Sequence, residues 1–252
     1  MKLLLINPNI SDSVSRLIEN EALRSVSPGT SVQVVTAQAG VAYIETRFEA
    51  MLGAHATAQL AAEHYANADA IIVAAFGDPG LMALREVLPC PVTGLTEAAL
   101  ASACLLGNRF SIVAISQRIR AWYAETVQMY GLSSRLASIR GLDETLTDIG
   151  NVQGTQSERL VQLAHRCVRE DGADVIVLAG APLAGLARLI AGQITVPVVD
   201  GVSSAVRHAE TLAKMNAGTA RTGSFAAPPI KENKGLSAPV AALLATAQSL
   251  RA

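Results

Sequence analysis

Residues 68–103 read ADAIIVAAFGDPGLMALREVLPCPVTGLTEAALASA, and residues 173–209 read ADVIVLAGAPLAGLARLIAGQITVPVVDGVSSAVRHA. Both open on Ala-Asp and continue through an apolar strand into a turn of small residues containing proline. A helical run with arginine, a Pro-Val strand and an Ala-rich helix follow in each. The offset is about 105 residues (Ala70 against Val175), with one residue of slip before the Pro-Val strand. The repeat predicts two similar α/β lobes facing one another, each ending its central strand at a shared cleft. Ligands of open α/β sheets bind outside the carboxyl ends of the strands. The repeat therefore sets Ala75 opposite Gly180.

The rest of the chain agrees with this plan. Short apolar runs (KLLLI, SVQVVTA, AIIVAAF, PVTG, FSIVAIS, DVIVLAG, PVVD) alternate with helical patterns. The patterns cover Ser13–Ser25, Glu49–Ala66, Leu81–Leu88, Thr96–Leu106, Arg118–Tyr130, Ser157–Arg169, Leu183–Ala191 and Val202–Met215. The strands are nearly continuous Val, Ile, Leu and Ala, as expected of parallel sheets covered by helices on both faces. Asn216–Ser237, rich in Gly, Pro and Lys, reads as a surface crossing before a last helix at Pro239–Leu250. The expected division is a first lobe from residues 1–95 plus 205–252 and a second from 96–204.

Of the 252 residues, 50% are hydrophobic and 16% charged, with a formal net charge of -1. That balance gives no electrostatic basis for binding nucleic acid or a membrane surface. The opening MKLLLINPN is interrupted too early for a signal peptide, and no apolar run reaches the roughly 18 residues of a membrane span. A cytoplasmic protein is expected. Three cysteines, Cys90, Cys104 and Cys167, suggest neither a disulfide framework nor a zinc site.

The turns Gly77-Asp78-Pro79-Gly80 and Gly180-Ala181-Pro182-Leu183 carry the chemistry the residues offer. Glycine permits close backbone approach and proline suits a first helical position. Each turn offers free N–H groups to the cleft, a cradle for a carboxylate or ureido oxygen. The alternative is an ordinary strand-to-helix turn. Asn7, after the first strand, sits at the same cleft mouth, as a ligand group or in an Asx turn. The loop GVAYIETR brings Tyr43 and Glu45, over the cleft or into solvent. Asp200 is either a site acid or a helix cap, and capping is favoured. His55, His64, His165 and His208 fall inside helical patterns, and Cys104 and Cys167 read as small buried hydrophobes.

INPN, AFGDPGL, TEAA, ADVIVL, PVVDGVSSAV and RTGSFAAPPIK resemble the hydantoin and allantoin racemase branch of the aspartate/glutamate racemase superfamily, from Leu4 to about Lys231. The resemblance implies a two-lobed, cofactor- and metal-independent enzyme acting on a small anionic or ureide substrate, often as a homo-oligomer. It implies one cysteine at the strand end of each lobe, one thiolate removing the proton alpha to a carbonyl while the other thiol protonates the opposite face. Ala75 and Gly180 stand at those two positions. Neither methyl nor hydrogen accepts a proton, so two-base inversion has no such pair here. Arylmalonate decarboxylases look like a one-cysteine version, in which glycine replaces the other thiol and turn amides stabilise an enediolate. Asn7, the 77–80 turn, Thr93 and Asp200 match positions near the family's cleft, which adds Phe76 and Ala181 to the expected binding residues.

Three readings stay open. The first is an enzyme using non-cysteine acid/base groups, with Asp78, Tyr43 and Glu45 as candidates, for a lyase, decarboxylase or hydrolase step. The second is a hydantoin-type racemase using displaced residues. The third is a metabolite-binding protein without activity.

Overall fold

The computed structural model describes residues 1–143, 148–220 and 222–249. The first half of the chain runs β1 (Lys2–Asn7), α1 (Asp12–Ser25), β2 (Ser31–Thr36), α2 (Arg47–His64), β3 (Ala70–Val73), α3 (Leu81–Val87), β4 (Val92–Gly94) and α4 (Leu95–Leu106). The second repeats it as β5 (Phe110–Ala114), α5 (Arg120–Met129), β6 (Leu136–Gly141), α6 (Val152–Asp171), β7 (Val175–Ala179), α7 (Leu186–Leu189), β8 (Val198–Asp200) and α8 (Gly201–Met215). A last helix, α9 (Ala238–Ser249), follows. The two four-stranded sheets are ordered β2-β1-β3-β4 and β6-β5-β7-β8, and every pairing is parallel. Each strand is thus matched by the strand four later. The repeated stretches at 68–103 and 173–209 are the second half of a duplication that covers a whole lobe.

Continuous apolar strands need cover on both faces, and the Ala-rich helices supply it. Leu3, Leu5 and Ile72 of the first sheet share one buried cluster with Ile112, Val177 and Ala179 of the second. Ala98, Ala99 and Ala103 of α4 and Ala205 and Ala209 of α8 belong to the same cluster. The small side chains let these two helices pack on each other and on both sheets: α4 lies on β7 and β8, and α8 on β3 and β4. α9 lies across α2 and α3. Between the lobes, the buried Glu21 of α1 accepts from Arg188 Nε at 2.8 Å. The same carboxylate accepts from Ser25 Oγ at 3.1 Å.

Two local expectations are corrected. No helix runs from Leu183 to Ala191: a 3-10 turn at Ala181–Leu183 is followed only by the four residues of α7. Gly185 between them has φ +83, which is not right-handed helical backbone, and a Cβ there would lie 3.0 Å from Glu21 Oε2, so the position is reserved for glycine and interrupts the helix. The sequence pattern also leaves out β6. Its residues, LASIRG, are half-buried at the sheet edge and lack the apolar run that marks the inner strands.

Candidate active site

The carboxyl ends of β3 and β7 meet at a narrow cavity of about 30 Å³, lined by Ala75, Phe76, Gly180, Ala181 and Pro182 from the two turns. Asn9, Tyr43 and Ile44 close it from the first lobe, and Ile115, Ile119 and Tyr123 from the second. Ala75 and Gly180 therefore share one cleft, as the repeat predicts. Among the described residues, no acceptor in the protein takes the backbone N–H of Ala75, Phe76, Gly180 or Ala181. Gly180 has φ +111, a conformation open to glycine.

The other predicted residues are placed as follows. Tyr43 lines the cavity; Glu45 does not, and its backbone N–H donates to Glu49 Oε2 at 2.8 Å beside the N-terminus of α2. Asn7 is fully buried and turned inward: its Nδ2 donates to Ser15 Oγ at 2.9 Å and to Asn9 Oδ1 at 3.2 Å. The amide that reaches the cavity belongs to Asn9. Its Oδ1 accepts from Asn7 and from Ser11 N, and its Nδ2 has no acceptor among the described residues. Thr93 faces α8, donating weakly to the carbonyl of Ala205 at 3.4 Å. Asp200 caps α8, accepting from Ser203 N at 3.0 Å and Ser203 Oγ at 2.8 Å.

Asp78 lies outside the cavity lining. Its buried carboxylate accepts from the backbone N–H of Thr96 and of Glu97, both at 2.8 Å, and from Tyr130 Oη at 2.6 Å. It caps α4, whose own N-cap residue is Gly94. A Cβ on Gly94 would lie 2.3 Å from the Asp78 carboxylate, so the glycine makes room for a cap brought from the turn. In the other lobe the matching strand end is Asp200, which caps its own helix. Burial pushes the Asp78 carboxyl up to about 6 against its three donors. The same turn is held by Gly77 N–H donating to Thr96 Oγ1 at 2.5 Å.

Tyr43 and Phe76 were expected at the cleft; Tyr123, and Trp122 beside it, were not. Tyr123 packs its ring 4.8 Å from Phe76, and the Trp122 ring is 5.4 Å from Tyr123. Both tyrosines of the cavity, Tyr43 and Tyr123, have phenols raised above the ordinary range, chiefly by burial; Glu45 and Glu49 add to the shift at Tyr43. Neither hydroxyl has a hydrogen-bond partner among the described residues. Only Tyr123's place in a helical pattern was legible beforehand, since side chains from the second lobe reach the cleft through the tertiary fold.

Two pseudo-symmetric α/β halves meeting at their strand ends, with turn amides facing a shared cavity, define a racemase-type fold. The pattern of the Asp/Glu/hydantoin racemase family matches residues 3–209, and the chain belongs to that family of isomerase-type enzymes. It is 36% identical over 234 residues to a hydantoin racemase of Paenarthrobacter aurescens, covering 92% of this chain and 99% of that protein. The allantoin racemase structure from Klebsiella pneumoniae superposes with a TM-score of 0.90 at 31% identity, over 95% of this chain and 98% of that one. The allantoin racemase structure from Pseudomonas fluorescens gives 0.87 at 32%, over 93% and 100%.

Proposed function

We infer that the cleft binds a cyclic ureide of the hydantoin kind, and that the enzyme acts on it without a cofactor by proton chemistry from one side. The names of the relatives support the ligand class, being hydantoin and allantoin racemases. The observation that carries the reaction class is the cavity lining. Its strand-end positions are Ala75 and Gly180, and its ionisable side chains are Tyr43 and Tyr123. Phenols with raised pKa values stay protonated near neutral pH, so they donate protons and do not accept them. Removing a proton from carbon needs a base, which this lining does not supply. Losing carbon dioxide from carbon needs only a sink for the electron pair and an acid.

The step is therefore a decarboxylation of a ureide carrying a carboxylate beside its ring carbonyl. The carbon–carboxylate bond breaks and carbon dioxide leaves. The electron pair delocalises onto the carbonyl oxygen, held by the free turn amides of Ala75, Phe76, Gly180 and Ala181. Tyr43 Oη–H then protonates the carbon, and its phenolate recovers a proton from solvent. Asn9 Nδ2 is placed to hold a second ureide oxygen. Burial, with Glu45 and Glu49 nearby, keeps the Tyr43 phenol protonated, and Asp78 positions the turn. The names of the relatives favour a second reading, racemisation by groups other than those at 75 and 180. Exposed Leu105, Leu106 and Met215, at the ends of α4 and α8, support the expectation of self-association.

The test is a 5-substituted hydantoin-5-carboxylate in heavy water. Carbon dioxide release with one deuterium at the ring carbon, lost in Tyr43→Phe, is the expected result. Loss of optical activity from (S)-5-benzylhydantoin with deuterium exchange, and no carbon dioxide, would favour racemisation instead.

A further inference from the structure

The two cleft turns are fastened in different ways, and the difference follows from the repeat. In the first lobe the ties come from the helix after β4. Gly77 N–H donates to Thr96 Oγ1, and the Asp78 carboxylate accepts from the N–H groups of Thr96 and Glu97. At the offset of the repeat, Pro182, Leu183 and Val202 stand where Gly77, Asp78 and Thr96 stand. Proline has no N–H to donate, and neither leucine nor valine carries a polar side-chain group. Leu183 is instead fully buried in the apolar cluster that α6 forms with the second sheet. The second turn therefore lacks the counterparts of the bonds that hold the first.

Its own backbone supplies two bonds, from Leu183 N–H to the carbonyl of Gly180 at 2.9 Å and from Ala184 N–H to that of Ala181 at 3.0 Å. They close a 3-10 turn, whose hydrogen-bond geometry is poorer than that of an α-helix. The missing tie arrives from α6. Gln153, in the first turn of that helix, lies half-buried beside the cleft turn. Its Nε2 donates to the carbonyl of Pro182 and to that of Ala184, both at 2.9 Å. Both protons of the amide are thus spent on one turn, and the peptide planes after Pro182 and Ala184 are fixed toward α6. Val152, directly before it, is fully buried and sets the start of α6 against the turn. In the first lobe the matching residue is Phe48, which is exposed, so the arrangement is particular to the second lobe.

We propose that Gln153 is the positioning residue of the second half of the cradle. By holding the carbonyls of Pro182 and Ala184 it keeps the free N–H groups of Gly180 and Ala181 on the cavity lining. The proposal rests on the reading that these amides hold the oxygen on which charge develops. Gln153 is not itself part of that lining and acts through the turn.

Gln153→Glu keeps the length of the side chain, but as a carboxylate it sets acceptors against two carbonyls and donates nothing. Hydrogen exchange of the Leu183 and Ala184 N–H groups reads the turn without any substrate. Against the native chain at about pH 8, both should exchange roughly tenfold faster in Gln153→Glu, the factor that one or two hydrogen bonds are worth. At about pH 4.5 the introduced carboxyl, raised by the two carbonyls, regains a proton and one donor, and the ratio to native should fall back toward one. Leu81 N–H, in the first-lobe turn, should match the native chain throughout. In turnover of a 5-substituted hydantoin-5-carboxylate, kcat should drop about tenfold with KM within about twofold, because charge on the oxygen forms only in the transition state. Native exchange in Gln153→Glu at the higher pH would overturn the proposal, as would a loosened turn with kcat unchanged. Exchange that stays equally fast at both pH values would also overturn it, since a misfolded turn does not recover its tie on protonation. A native chain that releases no carbon dioxide would refute the reaction proposed above, and exchange alone would then decide the role of Gln153.

Discussion

At Ala75 and Gly180, which line one cleft, the side chains are a methyl group and a hydrogen, while the backbone N–H groups of both have no acceptor among the described residues. Gly180 has φ +111, and only Pro182 Cδ, at 3.5 Å, lies within 4 Å of an ideal Cβ there. A cysteine at 180 has room but costs on the order of 1–3 kcal/mol, because φ +111 with ψ 139 is backbone that is nearly exclusive to glycine. Ala75→Cys with Gly180→Cys should fold with a lowered melting temperature. It should then exchange and invert the ring proton of (S)-5-benzylhydantoin, each single variant doing far less, as polarimetry in heavy water would reveal. At Asp78, burial and three donors pull in opposite directions, and burial wins with a pKa of about 6 against an ordinary 3.8. Folding therefore favours its protonated form. The stability this group contributes is full below pH 3.8 and is lost as the pH rises through about 6. Carboxyl carbon NMR should place its midpoint near 6; a midpoint below 4 would mean that the donors outweigh burial.

Among the elements, α4 shows how a helix can depend on a residue far away in sequence. Gly94 precedes it without a side chain, and Asp78 satisfies the N–H groups of Thr96 and Glu97 from the neighbouring turn. Gly94→Ala places a methyl within 2.3 Å of that carboxylate. Either the cap is expelled, leaving two buried donors unpaired at about 1–3 kcal/mol each, or β4 shifts. Chemical denaturation should show a loss of more than about 2 kcal/mol, with α4 amides exchanging faster than those of α8. The equivalent strand end in the second lobe already carries its own cap in Asp200, so α8 serves as an internal control.

For the molecule as a whole, the duplication and the packing of α4 against α8 join the lobes through one shared core cluster, and each lobe adds a cluster of its own. All three thiols lie away from the cavity lining: Cys90 before β4, at the opposite end of the strands, and Cys104 and Cys167 within helices. Burial raises the Cys90 thiol to about 11 and pushes Cys167 up as well. Since the thiolate is the reactive form, iodoacetamide near neutral pH should leave both ligand binding and any turnover of the folded chain unchanged. Rapid inactivation that ligand prevents would show a thiol reaching the cleft.

Two lobes, parallel sheets, and the meeting of residues 75 and 180 were all legible in the sequence. Buried strands, Pro-Gly turns and Ala-rich helices are local signals, and a repeated order of such signals implies a repeated fold. β6 was not legible, because an edge strand buries too little to need an apolar run. The four-residue α7 was hidden by Gly185 and by Glu21, which arrives from the other lobe. The site residues divide in the same way. Ala75, Phe76, Gly180 and Ala181 follow from strand ends, as do Asn9 after β1 and Ile115 after β5, whereas Ile119 and Tyr123 reach the cleft from α5 only through the tertiary fold. Tertiary structure also reassigned Asp78 from the cleft to a helix cap, since a carboxylate buried beside two free N–H groups and a phenol is held by them.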